Sequence, residues 1–91
     1  MTPERVREVI TLYRERLNQL SCQPVQHPHS KHLHDTLEGF DHCLAMLDTM
    51  EVFLDKGRMG KVFRLLGFTQ GYMWSNSMYT LDDLKLHNKP D

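Results

Sequence analysis

Arg58, Lys61 and Arg64 recur at three-residue steps and share one helix face with Leu65, Phe68 and Tyr72 in the stretch RMGKVFRLLGFTQGYMW, Arg58 to Trp74. Cations interleaved with aromatic rings suit two chemistries. In one, Phe68 and Tyr72 anchor a protein interface and the cations set its specificity. In the other, Arg58, Lys61 and Arg64, helped by a helix N-terminus, hold a phosphate while Tyr72 stacks on a base and Gln70 reads polar groups; the partner is then a small anionic ligand such as a nucleotide. KGRMGK is not a phosphate loop of the Walker kind, because its glycines are too close together and no strand precedes it.

On a helical wheel of about 100° per residue, Met59, Val62, Phe63, Leu66, Met73 and Trp74 share one face, the expected core side. Gln70 falls in the middle of it. A buried side-chain amide without partners costs about 1 to 3 kcal/mol, so Gln70 must bond across the core or face a site that completes it. The candidate binding set is therefore Arg58, Lys61, Arg64, Phe68, Gln70, Tyr72 and Trp74. Beside the core face, Gly60, Gly67 and Gly71 form a ridge, each costing up to about 1 kcal/mol of helix propensity relative to alanine. Close approach of another backbone would justify them, within the chain against Gly39 or across a self-associated pair.

A second group carries ligand chemistry. His34, Glu38 and His42 follow one another at four-residue steps, a spacing that could put two imidazoles and a carboxylate on one helix face for zinc. The set matches no metalloenzyme motif, and eight residues of helix separate its ends by about 12 Å. No metal or other cofactor is expected. No Ser/His/Asp arrangement or paired-acid site occurs either, and a non-enzymatic protein is the expectation.

These residues need helices to position them. Thr2 before Pro3 reads as an N-cap with proline at the first helical position, where its missing N–H is no loss. Val6, Val9, Ile10, Tyr13, Leu17 and Leu20 then predict an amphipathic first helix of about 18 residues. SCQPVQHPH, with two prolines, breaks the pattern between Ser21 and His29. Ser30 is the expected cap of a long second helix carrying Leu33, Leu37, Phe40, Leu44, Leu47 and Leu54, with Cys43, Met46, Met50 and Phe53 widening its stripe. Gly57 can close that helix in a left-handed conformation. So short a link to the third helix requires an antiparallel hairpin. The third helix should run to about Asn76, and Thr80 with Asp83 forms a capping box for a short fourth, Tyr79 and Leu84 standing at the positions of a hydrophobic staple. The fold class is all-α: a three-helix bundle with a helical hairpin and a short fourth C-terminal helix, in one domain spanning 1–91.

Composition limits the alternatives. Ninety-one residues with 40% hydrophobic and 25% charged content describe one ordinary globular domain. A net charge of −1 lacks the broad positive footprint of nucleic-acid binders, so nucleic acid is not an expected partner. Protonating six histidines would make the chain net positive, and self-association should vary with pH. No apolar run is long enough to span a membrane, and MTPERVREVI lacks the order of a signal peptide. A cytoplasmic setting with two free cysteines, Cys43 serving as a small core hydrophobe, is expected.

From Phe53 to Pro90, FLDKGRMGKVFRLLGFTQGYMW and YTLDDLKLHNKP resemble the C-terminal part of small helical proteins of unassigned function encoded by bacteriophages. The distinctive residues are Phe63, Arg64, Leu66, Gly67, Phe68, Gln70, Gly71 and Trp74. The resemblance implies a phage or prophage origin and the cytoplasm of a bacterial host, and carries no chemistry with it. It makes a counter-defence role an expectation, with a host protein engaged through the 58–74 helix; self-association is expected separately, from the Gly60, Gly67 and Gly71 ridge.

Overall fold

Four helices follow one another with no strand among the described residues: α1 (Pro3–Gln19), α2 (Thr36–Asp55), α3 (Met59–Ser75) and α4 (Leu81–His87). The computed structural model describes residues 1–27 and 32–89. The all-α architecture of three main helices and a short fourth matches the sequence expectation. None of these helices is long and apolar enough to cross a membrane.

α1 begins where its cap requires, with the Thr2 hydroxyl accepting from Arg5 N at 3.1 Å. Val6, Val9, Ile10, Tyr13 and Leu17 form its buried stripe. Leu20 is exposed, because the helix has already ended and Cys22 takes the last core position on that side.

α2 departs from expectation at its start. It opens at Thr36 behind Asp35, whose carboxylate accepts from Glu38 N at 2.8 Å, while Glu38 reaches back to His34 N at 2.8 Å. The Asp35 carboxylate satisfies a free N–H of the first turn and Glu38 ties down the residue before the cap, so the helix starts there. Leu33 and Leu37 are consequently exposed. Ser30, the expected cap, lies outside the described residues, as does His29.

From Phe40 to Leu54 α2 packs α1 on one side and α3 on the other, and is the spine of the bundle. Gly57, at φ 71°, closes it in the left-handed region. The hairpin is antiparallel: Lys61 near the start of α3 sits over Phe53 near the end of α2, and Tyr72 near the end of α3 bonds to Thr36 at the start of α2. The capping box of α4 forms in full, with Asp83 N to Thr80 Oγ1 at 3.0 Å and Thr80 N to Asp83 Oδ2 at 2.9 Å.

α3 is rotated relative to the expected wheel. Its buried residues are Val62, Leu66, Thr69, Gln70 and Met73. Phe63 and Trp74, expected in the core, are 43% and 49% exposed. The stripe is narrow because α3 rests mainly on α2, while Gln70 near its end bonds to Tyr13 of α1 and to Asn88 just past α4.

Candidate interaction surface

Gln70 donates through Nε2 to Tyr13 Oη at 3.0 Å and to Asn88 Oδ1 at 2.6 Å, and Asn88 Nδ2 returns a bond to Gln70 Oε1 at 3.1 Å. Tyr13 Oη also lies 2.8 Å from His87 Nδ1. The Tyr13 hydroxyl thus accepts from Gln70 and pairs with His87 Nδ1, the direction of that second bond following the imidazole tautomer. Burial raises the Tyr13 phenol above its ordinary value. Burial likewise lowers the His87 imidazole, with Asp83 opposing the shift and Arg5 adding to it. Arg5 completes the cluster by donating to the carbonyls of His87 and Leu86 at 2.9 and 3.2 Å, so a cation from α1 closes the C-terminus of α4. Both ends of the Gln70 amide are therefore occupied within the chain: it joins α1, α3 and α4.

Tyr72 is similarly committed. Its hydroxyl donates to Thr36 O at 2.8 Å, and its ring meets Phe40 edge-on at 5.3 Å between centroids. The ring lies over Gly39, where an added Cβ would overlap it. Gly39 is thus the close-packing glycine of the fold. Gly60, Gly67 and Gly71 are exposed, and a Cβ at any of them would meet nothing within 4 Å. The expected packing of that ridge against Gly39 does not occur; the ridge is an open strip, with Phe63 and Trp74 along one side of it.

The expected cation and aromatic residues separate into two places. Arg58, Lys61, Arg64 and Phe68 gather along one groove between α2 and α3. The Arg58 guanidinium lies 5.7 Å from the Phe53 ring centroid and the Lys61 ammonium 5.1 Å from the same centroid. Arg64 and Leu65 continue the groove into a hollow of about 400 Å³, whose other walls are Gln26, His42, Met46, Thr49 and Phe68. A smaller hollow of about 190 Å³, lined by Thr49, Phe53, Lys61, Arg64 and Leu65, adjoins it through shared residues. Phe68 is 58% exposed at the rim. Trp74 stands apart, beside an open hollow of about 490 Å³ formed with Ser77 to Asp83.

The groove is positively charged without internal compensation. α3 contains no acidic residue, and among the described residues none of Arg58, Lys61 and Arg64 takes part in a salt bridge. Asp48, Glu51 and Asp55 of α2 all turn to α1. Asp41 accepts from Gln23 N at 3.0 Å in the loop. Arg58 is the N-cap of α3 and makes no side-chain capping bond, so its charge and that of Lys61 add to the positive end of the helix.

Phe53, Met46 and Thr49 were not singled out by sequence reasoning as part of this surface. Phe53 was assigned to the core stripe of α2, and only the tightness of the Gly57 turn signalled that the first turn of α3 would return across it. The histidine set does not assemble: His34 precedes α2, the Glu38 carboxylate bonds to the backbone of His34, and His42 lies beside His27 with ring centroids 5.8 Å apart. Among the described residues no group of three or more His, Cys, Asp or Glu is placed to hold a metal ion. Cys22 and Cys43 are free and buried. No family model, curated protein or solved structure matches this chain.

Proposed function

We propose that this chain is a non-enzymatic binding protein of phage type that engages a host protein in the bacterial cytoplasm through the 58–74 helix, in a counter-defence role. The observation that supports the reading is the groove itself, in which Arg64 and Phe68 border an apolar floor and three cations have no carboxylate partner among the described residues. Exposed aromatic residues beside arginines are the usual carriers of interface energy. The test is affinity capture from bacterial lysate with the wild type, with Arg64→Glu and with Phe68→Ala, using Lys85→Glu on α4 as control. Capture that survives both groove substitutions would overturn the reading.

Two further parts of the proposal have their own support. The open strip of Gly60, Gly67 and Gly71, flanked by Phe63 and Trp74, fits self-association of two copies. A Cβ at Gly67 meets nothing within 4 Å, so Gly67→Leu should leave the helix content unchanged while lowering the mass found by sedimentation equilibrium; an unchanged mass removes self-association by this strip. The second reading, a phosphate-bearing ligand such as a nucleotide, is favoured by Arg64 and Phe68 sharing one hollow. A ligand present at 100 times its Kd stabilises the fold by about 2.7 kcal/mol, so nucleotides at millimolar concentration that leave Tm unchanged would dismiss it.

A further inference from the structure

Within that protein-binding reading, on which this inference rests, the charges of the groove specify what the partner must present. We infer that the α2–α3 groove receives an acidic amphipathic helix of the partner, with apolar side chains over Met46, Leu65 and Phe68 and carboxylates against Arg58, Lys61 and Arg64.

Charge complementarity is the first argument. Arg5, Arg7 and Arg14 of the bundle each have a carboxylate within the chain, at 2.8, 3.1 and 2.7 Å. Among the described residues the groove cations have none, although α2 carries three acids in its second half, because those acids face the opposite side. The Arg58 guanidinium and the Lys61 ammonium lie over the Phe53 ring at one end of the groove. A chain with net charge −1 therefore presents a cluster of three cations here, beginning at the positive end of a helix.

Shape is the second argument. From Lys61 to Phe68 the groove follows eight residues of α3, a rise of about 10 Å, which is two turns of a docked helix. A helix laid in such a groove presents residues at i, i+3 or i+4 and i+7, enough for two or three apolar contacts flanked by acids. The floor of Met46, Leu65 and Phe68 gives those contacts a surface to cover, which a bare phosphate chain would leave wet. Nucleic acid is accordingly the weaker occupant.

The probe is a synthetic helical peptide of about 16 residues, a little over four turns, with leucine on one face and glutamate elsewhere, titrated into the ¹⁵N-labelled full chain. Shifts should concentrate at Met46, Thr49, Leu65 and Phe68, and Arg64→Glu should weaken binding about tenfold or more, with affinity falling as salt rises. A matched lysine–leucine peptide should not bind. Equal binding of the two peptides, shifts confined to the Phe63 and Trp74 side, absence of shifts, or displacement of the glutamate peptide by a single-stranded oligonucleotide would each overturn the inference. Lysate capture that depends on Phe68 alongside a failed peptide titration keeps the protein-binding reading and removes the acidic helix alone.

Discussion

The two sides of α2 handle charge in opposite ways. Toward α1, Arg14 joins Asp48 and Glu51 at 2.7 and 2.8 Å, and Arg7 joins Asp55 at 3.1 Å, above a continuous buried stripe from Val6 to Leu17. Toward α3 the contact is made by apolar side chains and by Tyr72 over Gly39, while Arg58 and Lys61 stand over Phe53 and, among the described residues, take part in no salt bridge. The α1 side is closed on itself in both apolar and ionic terms. The α3 side closes its core and leaves its cations without carboxylate partners among the described residues. A fold that needed α3 merely as a third helix could have supplied acids from α2, as it did for α1. Their absence is what turns the groove into a candidate for recognition.

The largest effect should come from breaking the α3 side where it is tightest. Gly39→Val places side-chain atoms where the Tyr72 ring lies, and the ring cannot withdraw without losing its bond to Thr36 and its contact with Phe40. Overpacking of this kind costs about 1 to 3 kcal/mol. Urea unfolding should show that loss, and the groove signals in a ¹⁵N spectrum should move while those of α1 stay in place. A spectrum disturbed equally on both sides would mean that the hairpin and the α1 contact are not separable.

The Gln70 cluster sharpens the comparison by a different means, since it joins α3 to α1 through polar groups rather than ion pairs. His87 has a lowered pKa through burial, partly offset by Asp83 and reinforced by Arg5. Tyr13 and Tyr79 face it from the neighbouring elements, and Arg5 is itself paired with Glu8. A histidine lowered in the folded state binds protons more readily when unfolded. Its contribution is therefore fully present above its ordinary value near 6.5 and is lost as pH falls from there through the depressed folded value. Stability by urea unfolding should decline between about pH 7 and 5, and His87→Gln should flatten that part of the profile. An identical decline in the variant would place the sensitivity elsewhere.

How much of this was legible in the sequence depends on how local each signal is. Thr2 with Pro3, Gly57, and Thr80 with Asp83 act within one helical turn, and each fixes its terminus as read. Asp35 is an equally local cap, with Glu38 bonding back to His34 N, and Ser30 competed with it only because both residue types cap helices. The rotation of α3 is of another kind. Apolar and glycine residues cover more than half its circumference, so the wheel alone could not decide whether Phe63 and Trp74 or Thr69 faced inward; the position of α2 decides it. Gln70 was legible as an amide in the core, but Tyr13 and Asn88 are 57 and 18 residues away, and no spacing rule joins them. The cations and Phe68 were legible as a group. That they lack acids could be seen only once Asp48, Glu51 and Asp55 were seen turning to α1.

The smallest effects on stability give the most direct reading of the two sides. Arg14 is partly buried and bonded to two carboxylates, and the nearest of these raise its pKa, with Glu51 contributing most. Arg14→Ala should lower stability, but by no more than about 1 kcal/mol, because exposed ion pairs are screened and their side chains lose freedom when paired. Arg64→Ala removes no salt bridge and no core contact, so its effect should stay within about 0.5 kcal/mol of zero. In binding the order should reverse, with Arg64→Ala weakening capture or peptide affinity and Arg14→Ala leaving both unchanged. The two substitutions delete the same charge from opposite sides of one helix, so differences in net charge cancel between them. Equal losses of stability would show that Arg64 has structural partners of its own, and equal binding would show that the groove is a solvated face like any other.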